Sequence, residues 1–323
     1  MQNINTNQQF KIFSFYQFIN LNNTKIIENS IFEFSSLKKI RGTTILSKEG
    51  INGTMAGTRD NMDEFLYLLK SLGFNQLNLK ESYSFEMPFY RLKVKIKKEI
   101  VSMLNNPINA DLPRATHVDS KEWNNLINDD DVLILDVRNK YETDIGSFNQ
   151  AITPESNSFV EFKNFIDNKL TINKNKKIAM YCTGGIRCEK ASFYMKSIGF
   201  NNLYQLDGGI LKYLEDNSSE NNKWNGECFV FDNRVSVNEE LEPGSYELCR
   251  GCNNPISEEE KLLNGYEKDV SCSKCYKKSS ESRKNNFRER SKQVELAKER
   301  DQSYIYDSLN YNQYIKEYNL DKS

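Results

Sequence analysis

Residues 181–192 read YCTGGIRCEKAS. An apolar run, KIAMY (177–181), delivers Cys182, which Thr183, Gly184, Gly185 and Ile186 connect to Arg187 and Cys188. Beyond them Ala191, Tyr194, Met195 and Ile198 recur at i, i+3, i+4 and i+7, which predicts a helix beginning near Arg187 or Cys188 and stopping at Gly199. A cysteine leaving a strand into such a turn has its sulfur at the centre of a curved backbone whose N–H groups point inward, an arrangement that holds an anion. Those dipoles and Arg187 favour a thiolate over a thiol of ordinary pKa about 8.5. The thiolate is the form that attacks sulfur or carries a persulfide. Most unpaired cysteines are small buried hydrophobes; here the glycines, the arginine and the strand-to-helix placement serve one purpose together. Cys188, in the first helical turn, is either a resolving thiol for Cys182 or a packed residue.

Upstream, VLILDVR (132–138) is a second continuous apolar strand that ends in a charged pair, Asp136 and Arg138, so from Ala110 onward the pattern is that of a parallel α/β unit. At 323 residues the chain is long enough for two or three domains. A hydrophobic content of 38%, 28% charged residues and a formal net charge of −1 describe a soluble folded protein and argue against a wholly basic nucleic-acid binder. The amino terminus has no basic stretch followed by an apolar core, and no run approaches the length of a membrane span, so a cytoplasmic protein without membrane association is expected.

The segment before Ala110 interleaves apolar runs (KIFSFYQFI, TTILSKEGINGTMAG, FYRLKVKIKKEIV) with a helix predicted from Met62, Phe65, Leu66 and Leu69 and ended by Gly73. This is the pattern of a small ferredoxin-like α+β sandwich. In RLKVKIKK (91–98), Arg91, Lys93, Lys95 and Lys97 alternate with Leu92, Val94 and Ile96, which on a strand separates a cationic face from an apolar one. Such a face suits phosphates, although a charge run on its own is most often a solvated surface. Past a polar linker, DNSSENNK, Cys249 and Cys252 precede Cys272 and Cys275 with nineteen residues between the two CxxC pairs. Four thiolates at this spacing suit a structural zinc site, with two redox-active dithiols as the alternative. Cys228 is expected to be buried, and a charged helical tail carries Arg283, Lys284, Arg288, Arg290 and Lys292, a solvated face or a further RNA contact. The expected boundaries are 1–109 for the α+β domain, 110–220 for the α/β domain and 221–323 for the cysteine-rich region and tail.

The Cys182–Arg187 loop, the strand LDVRNKYETDIGSFNQA (135–151) and LDGGI (206–210) resemble a rhodanese domain. The resemblance implies that Cys182 carries the reactive sulfur and that Asp136 and Arg138 set the architecture of its site. Many rhodaneses have a histidine where Ser147 stands. LSKEGINGTMAG (46–57), PFYRLKVKIKKEIV, MYCTGGIRCEKAS, WNGECFVFDNRVSV (224–237), the double CxxC and ERSKQVELAKER extend the likeness nearly end to end, to the bacterial rhodanese-domain family of tRNA uridine hydroxylases. That resemblance implies conversion of the wobble uridine (position 34) of tRNA to 5-hydroxyuridine with molecular oxygen as co-substrate, an unidentified reductant, and a requirement for Cys182. It also favours the phosphate-binding reading of Arg91, Lys93, Lys95 and Lys97. No flavin or haem motif is seen, and with His117 as the single histidine, expected to be a surface or structural residue, a two-His-one-carboxylate iron site is excluded. Two other readings stand beside this one: a sulfurtransferase carrying a persulfide on Cys182, which the rhodanese motifs alone support equally, and a non-catalytic RNA-binding module.

Overall fold

The computed structural model describes residues 9–217 and 221–300. Contacts divide the chain into two units. Among the described residues, the first comprises 9–140, 150–217 and 221–222; the second comprises 141–149 and 223–300. The charged tail beyond residue 300 lies outside the described residues.

The first unit opens with β1 (Phe10–Phe18), α1 (Thr24–Leu37), β2 (Arg41–Ser47), β3 (Gly50–Gly57), α2 (Arg59–Ser71), β4 (Asn78–Ser84) and β5 (Leu92–Ile96). The strands form one sheet in the order β4-β1-β3-β2-β5, antiparallel except for the β2–β5 pair. This is the α+β sandwich expected. The stretch TTILSKEGINGTMAG is a hairpin in which Ser47 faces Gly50 across a tight turn at Lys48 and Glu49. Helix α1 has no counterpart in the sequence reading, because its Ile, Phe and Ser residues do not favour helix intrinsically. It forms because Ile27, Ile31 and Ser35, one turn apart, are buried on the sheet. Phe13 and Phe15 of β1, Ile51 and Met55 of β3, Leu92 and Val94 of β5, and Met62, Phe65 and Leu69 of α2 make up the core on that face. Alternation then sends Ser14 and Tyr16 to the opposite face.

A second, fully parallel sheet follows. Its elements are β6 (Thr116–Val118), α3 (Ser120–Leu126) and β7 (Val132–Asp136); then, after an excursion into the second unit as α4 (Lys140–Thr143) and β8 (Gly146–Phe148), α5 (Phe159–Asn168), β9 (Lys177–Tyr181), α6 (Ile186–Ser197), β10 (Leu203–Leu206) and α7 (Gly209–Asp216). The strand order is β6-β10-β9-β7. Leu135, Ile178 and Met180 of this sheet pack with Phe162 and Ile166 of α5 and Ala191 and Met195 of α6, as a parallel α/β sheet requires. The stretch 135–151, read as one strand, is therefore strand, helical turn and strand, split where Arg138 must turn back onto Asp136.

A buried ionic knot ties the two sheets' elements together within this unit. Lys190 of α6, fully buried, lies 2.8 Å from Glu49 Oε1 in the β2–β3 turn and 2.5 Å from Glu99 Oε1. Glu49 also accepts from the N–H groups of Ile100 and Ile108, both at 2.7 Å, and Glu99 from those of Met103, Leu104 and Asn105. With those donors supplied, the two carboxylates are satisfied without water.

In the second unit β8 pairs antiparallel with β11 (Trp224–Gly226), placing Phe148 edge-on to Trp224 at 5.1 Å between ring centres. Short pairs β12 (Cys228–Phe229) with β13 (Ser236–Val237) and β14 (Glu247–Leu248) with β15 (Pro255–Ile256) follow, then α8 (Glu258–Lys261) and the long α9 (Glu281–Glu299). Cys228 is buried, as expected. On α9, Arg288 forms a forked ion pair with Glu267 at 2.6 and 2.7 Å, Arg283 donates to the Gly251 carbonyl, and Lys284 pairs with Glu281. Two of the tail cations named as candidate RNA contacts, Arg283 and Arg288, thus hold the helix to its own unit, while Lys284 pairs within the helix.

Candidate active site

Strand β9 ends at Tyr181, and Cys182 follows with its side chain 1% exposed. Helix α6 starts four residues later, so Thr183–Gly185 are left to curl around the sulfur. The Gly185 N–H donates to Cys182 Sγ at 3.1 Å. Gly185 itself has φ +100°, a region that L side chains avoid, and a Cβ there would stand 2.8 Å from the Tyr16 hydroxyl. The motif's second glycine is required twice over, by the backbone and by a neighbour from β1.

Burial opposes ionisation of Cys182, but the Cys188 thiol donating to it, the Arg187 charge and the N–H groups of Cys188 and Gly185 outweigh burial and bring its pKa down to about 5. At neutral pH a group of that pKa is about 99% thiolate. Cys188 is pushed in the opposite direction, well above the ordinary thiol value, by burial and by its contact with the Cys182 sulfur. The two cysteines therefore form one unit, an anion and its donor. Arg187 is buried and also donates to Thr183 Oγ1 at 3.3 Å, closing the loop on itself.

Asp136 and Arg138 sit beside this loop by strand pairing, since Asp136 lies opposite Tyr181 and the Val137 N–H donates to the Tyr181 carbonyl at 3.0 Å. Both are buried, and the guanidinium grips the carboxylate at 3.0 and 2.7 Å. The LDGGI turn completes the rim. The Ile210 N–H donates to the Cys182 carbonyl at 3.0 Å and the Leu211 N–H to that of Thr183 at 3.2 Å.

Sequence reasoning missed several neighbours. His117, on β6, bonds Asp207 at 3.0 Å and Glu189 of α6 at 2.9 Å. The hydrogen bond to Glu189, against partial burial and aided by Asp207, raises its pKa to about 9. Gln205 donates to the same Glu189 oxygen at 3.0 Å. Tyr16 and Lys80 come from the first sheet. Burial, then the charges of Glu189 and Cys182, push the Tyr16 phenol well above its ordinary value. No local pattern announces these residues, because the contacts that gather them cross between elements: Gln205 and Glu189 are 16 positions apart and His117 and Asp207 are 90 apart.

Arg91, Lys93, Lys95 and Lys97 are exposed on and beside β5, with Leu92 and Val94 turned to the core. β5 is the edge strand opposite β4, so these cations stand four strand spacings, about 19 Å, from the β4 edge, and they are not part of the loop's own shell. In the second unit the sulfurs of Cys249, Cys252, Cys272 and Cys275 all lie within 4.8 Å of one another, with separations of 3.8 Å (Cys249 to Cys275), 3.7 Å (Cys252 to Cys272) and 3.9 Å (Cys272 to Cys275). Those are the edges of a tetrahedron able to hold a metal ion. Among the described residues no helix is long and apolar enough to cross a membrane.

The sequence model of the UPF0176 acylphosphatase like domain matches residues 10–100, and that of the rhodanese-like domain matches residues 119–216. Among solved structures, a rhodanese-like domain protein from Staphylococcus aureus is 27% identical with a TM-score of 0.25, covering 30% of this chain and 90% of its own. An acylphosphatase from Coxiella burnetii is 13% identical with a TM-score of 0.21, covering 27% of this chain and 94% of its own. A Teredinibacter turnerae protein named tRNA uridine(34) hydroxylase is 46% identical over 299 residues, which span 92% of this chain and 93% of that one. Similarity at that level along nearly the whole of both sequences carries both domains and the cysteine-rich end together, and the chain belongs to the tRNA uridine(34) hydroxylase family.

Proposed function

We propose that this enzyme hydroxylates uridine 34 of tRNA to 5-hydroxyuridine, with Cys182 as its reactive centre. The observation that carries this reading is the 46% identity to a tRNA uridine(34) hydroxylase over 92% of the chain, joined to a Cys182 loop whose sulfur is held as an anion. Molecular oxygen supplies the atom placed on C5 and its second atom leaves as water, so two electrons and two protons come from an external reductant. Cys182 supplies a polarisable anion against the base; Cys188 and the Gly185 N–H hold that anion in place; Arg187 lowers its energy and closes the loop. Asp136 and Arg138 fix the end of β7 against β9. Arg91, Lys93, Lys95 and Lys97 give a cationic edge for tRNA phosphates, whose contribution weakens steeply with salt. Work on tRNA puts the enzyme in the cytoplasm.

The four cysteines hold zinc in this reading. Zn–S bonds of about 2.3 Å require S–S edges of about 3.8 Å, which the observed separations meet, and four protein ligands leave the ion a structural role. One zinc per chain by elemental analysis is expected, falling to none in Cys249→Ser/Cys272→Ser.

The deciding experiment is mass spectrometry of tRNA nucleosides from cells lacking the protein, complemented with wild type or Cys182→Ser. Loss of 5-hydroxyuridine and its derivatives, restored only by wild type, is the expected outcome. Unchanged nucleosides, with thiosulfate-dependent sulfur transfer by the purified protein, would replace this reading by the sulfurtransferase one.

A further inference from the structure

Lys80 is the group the mechanism above leaves unused. Its Nζ is shielded from solvent and has no hydrogen-bond acceptor among the described residues. Burying an ammonium without an acceptor is costly, and where a lysine serves only packing, a methionine does the same at no electrostatic cost. The charged and titratable groups facing it are Asp207, Glu215, Lys212 and the Cys182 sulfur; burial dominates and lowers its pKa to about 8.

Its position is set by register. Lys80 pairs with Ser14 across β4 and β1, and Tyr16 pairs with Asn78, so Lys80 and Tyr16 are diagonal neighbours on the sheet face that α1 and α2 do not cover. Both tips end at glycines of the loop region. A Cβ on Gly185 would stand 2.8 Å from the Tyr16 hydroxyl, and one on Gly208 would stand 2.5 Å from Lys80 Nζ. Gly208 opens the turn whose Ile210 N–H is bonded to the Cys182 carbonyl. The same register extends away from the loop. Ser14 pairs with Thr54, Thr54 with Thr43 and Thr43 with Lys93, so one cross-strand row of polar side chains runs from Lys80 to the cationic edge strand. Every member of that row is at least partly exposed.

We propose that Lys80, with Tyr16 beside it, is a substrate-contacting residue that the N-terminal domain supplies to the Cys182 loop, and that its acceptor is an oxygen of the target nucleotide. The polar row is the path along which the RNA backbone lies, from Lys93 to the loop. This rests on the proposed action on tRNA. The oxygen belongs either to the uracil or to its phosphate, and the two are separable by experiment.

The test uses the full-length protein and alkylation of Cys182 by iodoacetamide, read by peptide mass spectrometry. The probes are an anticodon stem–loop RNA carrying U34 and the same RNA abasic at that position. The U34 RNA is expected to protect Cys182 in wild type, and Lys80→Met to require about tenfold more RNA for the same protection. Protection by the abasic RNA that also depends on Lys80 assigns the phosphate; protection by the U34 RNA alone assigns the uracil oxygen. In wild type the RNA affinity weakens as pH rises through about 8, where Lys80 loses its proton; in Lys80→Met that step disappears. Thermal stability of Lys80→Met is expected to equal or exceed wild type, which a structural role would not allow, and n-propylamine is expected to restore protection in Lys80→Ala. Protection within twofold of wild type in Lys80→Met, or no protection of wild type by either RNA, overturns the assignment. Should wild type show Lys80-dependent protection but leave U34 unmodified, the hydroxylase reading falls and the Lys80 assignment stands.

Discussion

Replacing Lys190 with methionine removes the one cation between two buried carboxylates. Lys190 and Glu49 are fully buried and Glu99 is 4% exposed, so water cannot take over the lost ion pairs. Breaking a buried pair from one side costs about 3–5 kcal/mol. The five backbone N–H groups that donate to Glu49 and Glu99 remain and keep the loss within that range. For a folding unit of this size the melting temperature should fall by about 6–20 °C. The chain has two tryptophans, Trp123 in the first unit and Trp224 in the second, so urea titration in a Trp224→Phe background reads the first unit alone. The triple variant Lys190→Met/Glu49→Gln/Glu99→Gln, which removes all three charges, should regain most of the loss. A Lys190→Met variant within about 1 kcal/mol of its parent, the range of a surface ion pair, would refute the claim that this knot holds the two sheets' elements together.

The alkylation rate of Cys182 should titrate with a midpoint near pH 5, and Cys188→Ala, by deleting the thiol donor, should move that midpoint up; a wild-type midpoint in the ordinary thiol range would remove the basis for a stored thiolate. Gly184 and Gly185 should differ sharply, because a Cβ on Gly184 meets nothing within 4 Å while Gly185 has positive φ and a close neighbour. Gly184→Ala should keep the pH profile of Cys182 and Gly185→Ala should lose it. His117, as the only histidine, gives a single imidazole resonance that should titrate near pH 9. Because the fold favours the protonated ring, its contribution to stability is complete below the unfolded pKa of about 6.5 and is lost as pH rises through about 9. The urea midpoint of wild type should therefore drop more between pH 6 and pH 9.5 than that of His117→Gln.

What was legible in the sequence was local. The Cys182 loop could be read because strand, turn and helix are contiguous there, and each of its residues meets a chain neighbour: Gly185 the sulfur three positions back, Arg187 the threonine four back. The alternation in Arg91–Lys97 was equally readable, since period-two patterning survives wherever one face of a strand is buried. The two CxxC pairs carry their geometry in their spacing. What was not legible depends on topology. Glu49 and Lys190 are separated by 141 positions and His117 and Asp207 by 90, and neither pair leaves a periodic trace. Tyr16 sits in a strand whose composition announces only that it is a strand, and Lys80 in one, Asn78–Ser84, whose polar sequence NLKESYS leaves no apolar run to read. The glycines of the Cys182 loop are readable as part of its curved backbone, and those of LDGGI only as part of a family likeness; that Gly185 and Gly208 also leave room for side chains from another sheet follows only from the folded chain.

The Lys190 knot also bears on how this gene could have been assembled and how far it can be taken apart. The acylphosphatase-like and rhodanese-like modules are matched by separate domain models, over residues 10–100 and 119–216, and separate domains ordinarily meet across a linker that few contacts cross. Here helix α6, which follows the Cys182 loop, carries a lysine whose counter-ions belong to residues 49 and 99. Cutting the chain between the modules would leave that ammonium without its partners and the two carboxylates without their cation. The pair has therefore to be inherited as one heritable unit: a transplanted rhodanese module would bring its loop but an orphaned charge with it, and chimaeras should exchange both domains or neither.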